Sequence, residues 1–261
     1  GRNVRPINLE VTERVEEGDG VVTLYFDRSF DVSPGEFGMF WVRGVDEIPM
    51  SFAYEDGVTV RGVGETTNAM MEMREGDEMG VRGPFGTPFD VPAPDEDIVI
   101  VGGGTGMAPV ALLTEAAAAN GAEVTTLIGA ATAGELVFED RLSSVADVRV
   151  ATEDGTAGYE GLVTGLLDEV IEEKDEPKNV ASCGPEVMMS AVLERFDDRP
   201  EDVQLCLERY MKCGVGICGS CCIDDSGSPV CSDGPVYRGT ELSNGEFGVY
   251  HRDAAGRKEY F

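Results

Sequence analysis

The chain has 261 residues and carries 50 Asp and Glu against 20 Lys and Arg, a formal net charge of −30. Nucleic acid is excluded as a partner, because neutralising phosphates requires a basic face, and the length exceeds what one hydrophobic core usually organises. No apolar run reaches the roughly 18 residues of a membrane span, and the first 17 residues lack the basic and apolar stretches of a signal peptide, so a cytoplasmic chain with no membrane partner is expected.

The carboxylates are spread among apolar segments such as Asp97-Ile98-Val99-Ile100-Val101 rather than gathered in a tail, so they coat a folded surface. Only four residues are lysine. An acid-rich, lysine-poor surface resembles halophilic proteins of a high-salt cytoplasm, where screening offsets self-repulsion; an ordinary acidic protein is the plainer alternative.

Residues 1–92 are broken at short intervals by turn signals, Gly18-Asp19-Gly20, Ser33-Pro34-Gly35, Asp56-Gly57 and Glu75-Gly76-Asp77 among them. The short runs Val21–Phe26, Met39–Val42 and Gly57–Val60 between them predict an antiparallel β-barrel domain, with one helix over Thr67 to Arg74. Pro92-Ala93-Pro94-Asp95 reads as a linker. Residues 93–199 then change to a βαβ pattern: strands at Ile98–Val101, Val124–Ile128, Val148–Ala151 and Val180–Ser182 alternate with helices at Ala108–Ala119, Leu162–Glu172 and Glu186–Arg195. A parallel-sheet α/β domain follows. Residues 200–261 form a third, small region of cysteines, glycines and turns.

Two glycine turns punctuate the α/β domain. Gly102, Gly103, Gly104, Thr105, Gly106, Met107, Ala108 and Pro109 follow a strand and open a helix, where backbone N–H groups can receive a pyrophosphate. Met107 and Pro109 break the usual dinucleotide fingerprint, so a tight turn without ligand stays open. Cys183, Gly184 and Pro185 again lead a strand into a helix, and two such turns at strand ends make a crevice. The segment Gly129–Glu135 offers no arginine for a 2′-phosphate, which favours NAD over NADP.

The chain has seven cysteines, five of them between Cys213 and Cys231. An odd number clustered in this way suits a metal centre better than a disulfide framework. Cys213, Cys218 and Cys221, with Cys231 ten positions later, have the C-x4-C-x2-C…C spacing of plant-type [2Fe–2S] sites. Gly214, Gly216 and Gly219 permit the positive-φ turns that aim backbone N–H groups at sulfur. A structural zinc is the alternative, although zinc ligands usually come as two separated pairs. Cys222 and Cys206 read as packed residues, and Cys231, after a short spacer, is the least secure ligand.

These pieces in this order, with Ile48-Pro49-Met50-Ser51-Phe52, Gly64-Glu65-Thr66-Thr67, Gly83-Pro84-Phe85-Gly86, Thr152-Glu153-Asp154-Gly155 and Val230-Cys231-Ser232-Asp233-Gly234-Pro235-Val236-Tyr237, resemble the ferredoxin reductase superfamily. With the cysteines after the nucleotide domain, the chain looks like the electron-transfer subunits of NAD-dependent dihydroorotate dehydrogenases, over nearly its whole length. That resemblance implies a flavoprotein subunit relaying electrons between NAD(H), FAD and a [2Fe–2S] cluster for pyrimidine biosynthesis. It implies a partner, a separate catalytic flavoprotein subunit, in a heterotetramer, and no catalytic acid or base on this chain. Pro49, Met50, Ser51 and Phe52 would lie against the isoalloxazine, Gly64, Thr66 and Thr67 would hold the FAD phosphates, and Cys183, Gly184 and Pro185 would flank the nicotinamide. Ile48 stands where the superfamily commonly has an arginine for the FAD pyrophosphate, and Arg61 on the neighbouring strand is the candidate replacement. The plainer readings are a strand end for Pro49–Phe52 and a helix cap for Thr66 and Thr67. The same motifs would serve a paralogous subunit of the sulfide dehydrogenase or ferredoxin:NADP reductase type; a non-catalytic redox-sensing adaptor is the reading from another class.

Overall fold

The computed structural model describes residues 3–175, 177–242 and 245–261. Its amino-terminal part holds β1 (Asn3–Gly18), β2 (Val21–Phe26), β3 (Phe37–Trp41), β4 (Glu47–Ser51), β5 (Gly57–Arg61), α1 (Glu65–Met71) and β6 (Glu78–Phe85). Among the described residues these strands make one antiparallel six-stranded sheet in the order β4-β3-β6-β1-β2-β5. The sheet curls because β1 is long enough to pair with β6 through Ile7–Glu10 and with β2 from Val11 onward, across irregularities in its register. Leu9, Leu24, Phe40, Phe52, Val58, Val60 and Met79 fill the inside, each fully buried. The α1 helix begins two residues earlier and ends three earlier than Thr67–Arg74, because Gly64 starts it and Arg74 belongs to the following turn, its N–H donating to Asp77.

The second layer system comprises β7 (Asp97–Gly103), α2 (Met107–Ala119), β8 (Glu123–Ala130), α3 (Glu139–Ser143), β9 (Asp147–Thr152), β10 (Tyr159–Glu160), α4 (Val163–Lys174), β11 (Val180–Cys183), α5 (Glu186–Glu194), β12 (Val203–Cys206), a helical turn α6 (Val230–Asp233), β13 (Val236–Arg238) and another, α7 (Gly239–Leu242). The sheet order is β10-β9-β8-β7-β11-β12-β13, parallel except for β13. Ile98, Val99, Ile100 and Val101 are wholly buried, as a central strand covered on both faces must be. Strand order reverses between β7 and β11, so their carboxyl ends flank the crevice where such sheets bind ligands.

The sheet runs past the expected boundary at residue 200. Parallel β12 pairs with β11, and β13 returns antiparallel on β12 after the cysteine loop. Residues 203–206 and 236–238 therefore belong to the nucleotide sheet, because the edge of β11 needs a hydrogen-bonding partner that no earlier segment supplies. The chain ends in a hairpin, β14 (Tyr250–Arg252) and β15 (Lys258–Tyr260).

The barrel and the sheet are joined by specific polar contacts. Arg141 of α3 donates to the carbonyl of Ala53 at 2.8 Å and to Glu115 at 2.6 and 2.8 Å, and its guanidinium lies 3.9 Å from the Tyr54 ring centroid. On the other flank Asp90 N–H donates to Gln204 at 2.7 Å, and Thr87 N–H to Gly234 O at 2.7 Å.

Candidate functional site

A cleft of about 340 Å³ opens where barrel, sheet and cysteine segment meet. Its barrel wall is β4 and β5 with the turn that follows, through Ile48, Pro49, Met50, Ser51, Thr59, Arg61, Val63 and Thr67; its other walls are Thr105 and Ala108, and the run Leu207–Arg209 with Met211 and Pro235. On the barrel wall, apolar Pro49 and Met50 beside hydroxyls and the Arg61 guanidinium form a donor set that suits a flat aromatic ring carrying a diphosphate. Arg61 and Ile48 share this wall, so a cation is available although Ile48 is not one.

Other predicted residues stand apart. Phe52 packs in the barrel core, its ring 5.3 Å from Phe30 and 5.5 Å from Phe40, because it begins the turn out of β4 on the inward side. Thr66 is buried. Thr67 Oγ1 accepts the N–H groups of Val63 and Gly64 at 3.0 and 2.9 Å, so the helix cap expected as the plainer reading is present alongside its position on the cleft wall.

The two glycine turns touch. A Cβ built on Gly106 would lie 2.2 Å from the backbone C and O of Cys183 and 2.4 Å from Gly184 N, so glycine is what lets the turn after β7 press against the turn after β11. Gly184, at φ +154, could carry a Cβ only 2.8 Å from Gly103 O. Around Gly104, at φ +55, nothing lies within 4 Å of that position, and the turn is open toward solvent. Gly102, Met107 and Pro109 are buried under the turn and support it, with Met107 Sδ filling the space a Gly102 side chain would need. Cys183 is fully buried, its thiol donating to Cys206 O at 3.2 Å, whereas Pro185 is exposed.

One carboxylate in the cleft carries no sequence signal. Glu208, just beyond β12, accepts a hydrogen bond from Thr105 Oγ1 at 2.6 Å. Although the residue keeps exposed surface, dehydration against the cleft walls pushes its carboxyl up, partly opposed by Thr105. Next to it Arg209 is buried between Glu186, at 2.8 Å, and Glu246. That triad ties the start of α5 to the cysteine segment, since Glu246 also accepts Asp224 N–H and Glu186 accepts Gly248 N–H. Partners 23 and 37 residues apart leave no local pattern by which to find them.

The cysteines occupy the loop between β12 and β13. Gly214, Gly216 and Gly219 all have positive φ, +72, +77 and +73, as the spacing predicts. The turns aim N–H groups at sulfur: Val215 and Ile217 toward Cys213 at 3.5 and 3.3 Å, Gly216 toward Cys231 at 3.1 Å, and Cys231 toward Cys221 at 3.4 Å. Burial works against the Cys213 thiolate, but these N–H groups prevail and bring its pKa to about 6. Cys221, helped first by the Cys231 thiol, comes to about 7, and Cys231 is correspondingly pushed up. Among the described residues no three Cys, His, Asp or Glu side chains converge as they would on a single ion. Three of the four sulfurs, those of Cys213, Cys221 and Cys231, receive backbone N–H donors, a cradle that suits the sulfurs of an iron–sulfur cluster. Cys222 lies across a turn from this set, bridged to Pro229 and half-buried.

Comparison with known proteins matches two stretches of the chain. The family model for the iron-sulfur cluster binding domain of dihydroorotate dehydrogenase B matches residues 208–243, and that for the oxidoreductase NAD-binding domain matches residues 100–194. The chain is 44% identical to the "Probable dihydroorotate dehydrogenase B (NAD(+)), electron transfer subunit" of Methanocaldococcus jannaschii over 98% of this chain and 99% of that one. With the protein of the same name from Methanocella arvoryzae it shares 42%, with 98% and 99% covered. Among solved structures, a chain of the NADH-dependent reduced ferredoxin-NADP oxidoreductase superposes with a TM-score of 0.80 at 28% identity, covering 89% of this chain and 88% of that one.

Proposed function

The chain belongs to the family of dihydroorotate dehydrogenase B electron-transfer subunits, and from that membership we propose that it relays electrons between NAD(H) and a separate catalytic subunit acting on dihydroorotate. The observation that carries this reading is the meeting of three elements at one cleft: a wall that suits a flavin, the first glycine turn with the second packed against it, and a segment that leaves the cleft at Met211 and reaches the first cluster cysteine two residues later. Identities of 39–44% across nearly full length favour this partner over the paralogous complexes, whose solved example stands at 28%. Intact cofactor sites weigh against a non-catalytic adaptor.

Bound FAD supplies exchange between a two-electron hydride donor and a one-electron carrier. The chain's own residues do the rest. Pro49, Met50 and Ser51 hold one face of the ring, with Arg61 and the Thr67 turn toward the diphosphate. Gly104–Ala108 receives the NAD pyrophosphate at the start of α2. Glu153 and Asp154 hydrogen-bond through their N–H groups to Ala130 and Ala131 at the end of β8. Carboxylates at that strand end suit a ribose 2′-hydroxyl and repel a 2′-phosphate, which supports NAD over NADP. Cys213, Cys218, Cys221 and Cys231 hold the cluster. Cys218 and the 83%-exposed Ile217 form the outward tip of that loop, where electrons would leave.

The test is kinetic. The purified chain, with flavin and cluster, should oxidise NADH with an artificial one-electron acceptor and should not oxidise dihydroorotate until a catalytic subunit is added. Dihydroorotate turnover by the chain alone would refute the division. Failure of every dihydroorotate dehydrogenase catalytic subunit to couple would move the assignment to another complex. A heterotetramer, two of each chain, is the assembly proposed.

We also propose that the chain works in a high-salt cytoplasm. None of the described helices is long and apolar enough to cross a membrane. Many arginines are already committed, such as Arg14 to Glu16, Arg149 to Asp147 and Glu173, Arg195 to Asp168 and Arg252 to Asp224, and with 50 Asp and Glu against 20 Lys and Arg most carboxylates have no cation of their own. At 1 M salt the Debye length is about 3 Å, and that repulsion is screened. The unfolding midpoint should rise steeply between dilute buffer and molar KCl, with flavin lost in dilute buffer; a midpoint indifferent to salt would discard this habitat.

A further inference from the structure

Arg82 holds neither cofactor in the assignments above, yet it connects the two sites. It lies on β6 in register with Met39 of β3, which in turn faces Pro49 of the flavin-lining strand β4. Its Nε and Nη2 donate to both oxygens of Glu47 on β4, at 2.7 and 2.8 Å, while Nη1 donates to the carbonyl of Cys213 at 2.9 Å. The adjoining Gly214 packs so closely on the same strands that a Cβ there would sit 2.9 Å from Met39 and 3.3 Å from Phe85. Arg82 and Glu47 are both largely sequestered, at 12% and 24% exposure.

We propose that Arg82 is a positioning residue for electron transfer: its guanidinium fixes the cluster loop to the strand that lines the flavin cleft, and its charge favours the reduced cluster. The inference rests on the reading that this cleft holds FAD and that the four cysteines hold a cluster. Reduction adds one electron to the cluster with no bond made or broken, so a fixed cation nearby stabilises the reduced form and Glu47 offsets part of that effect. Only a planar fork can engage a carboxylate with two donors and a carbonyl with a third, which a lysine ammonium does not reproduce.

A redox titration of the loaded chain, followed by electron paramagnetic resonance, separates this role from plain structural support. Arg82→Met should lower the ratio of reduced to oxidised cluster at fixed ambient potential by roughly tenfold, about 59 mV for a one-electron couple. Glu47→Gln should move it the opposite way. Loosening of the fold does not produce shifts of opposite sign. Arg82→Lys should keep most of the potential yet slow cluster reduction after rapid mixing with NADH. Unmoved potentials, or shifts of the same sign, overturn the electrostatic role, and an unchanged rate in Arg82→Lys overturns the positioning role. Iron and flavin contents report separately on the underlying reading: wild-type protein that takes up neither sinks that reading, whereas full loading with unmoved potentials and rates sinks Arg82 alone.

Discussion

Serine at position 213, 218 or 221 is expected to abolish the iron–sulfur absorbance and the electron paramagnetic resonance signal of the reduced protein, whereas Cys222→Ser should retain both. The three thiols lie on a loop whose glycines turn N–H groups toward sulfur, and a serine alkoxide is both harder to form at neutral pH and a poorer ligand for iron. Cys213 already has a lowered pKa because Val215, Ile217 and Cys218 donate to it. Cys222 is instead bridged to Pro229, apart from the N–H groups that serve Cys213, Cys221 and Cys231. The measurement is iron per chain together with the spectrum of dithionite-reduced protein. A cluster lost in Cys222→Ser but kept in Cys221→Ser would overturn the ligand set.

Gly106→Ala should be strongly damaging, because it places a methyl where the two glycine turns meet. The added carbon would meet the backbone of Cys183 and Gly184 at 2.2–2.4 Å, and backbone cannot swing aside as a side chain can. Overpacking of this kind costs about 3 kcal/mol or more, roughly 6–12 °C in melting temperature for a chain of this size. The two turns must part to admit it, so the KM for NADH should rise by at least about tenfold, about 1.4 kcal/mol of binding, while the chemically reduced cluster keeps its signal. Gly64→Ala is the control for stability, since φ there is an extended −164 and nothing lies within 4 Å of its added carbon. Equal melting temperatures for the two variants would refute the interlocked-turn account.

Much of this fold is legible because burial on both faces writes an unbroken apolar run. Strand Val21–Phe26 and the β7-α2-β8 unit are read almost to the residue, and the cysteine loop's positive-φ glycines follow from ligand spacing alone. The long first strand is not legible. Only the short alternation Ile7-Asn8-Leu9-Glu10-Val11 follows Pro6, and a register irregularity between Val11 and Glu13 then breaks the period-two pattern that marks a strand. Arg141 and Arg82 are invisible for another reason: their partners lie 88 and 131 residues away, and only the packed domains bring them together. Glu208 and Arg209 escape in the same way, since what they face depends on where β12 ends. Phe52 shows the opposite case, in which a motif is assigned to the site as a block although alternate residues of a strand must point inward.

The pairing of β12 with β11, and of β13 with β12, means that the cysteine-bearing tail is not a detachable cartridge. Cut at residue 199, the chain would present β11, whose four residues are all buried, as a bare edge of hydrogen-bonding groups ready to template another copy. Lineages that shorten or exchange this redox module would therefore have to leave the β12 strand behind. The natural seams for such a graft are the two loop ends at Leu207 and Pro235, where Leu207 N–H donates to Pro235 O at 2.9 Å and closes the neck of the insertion.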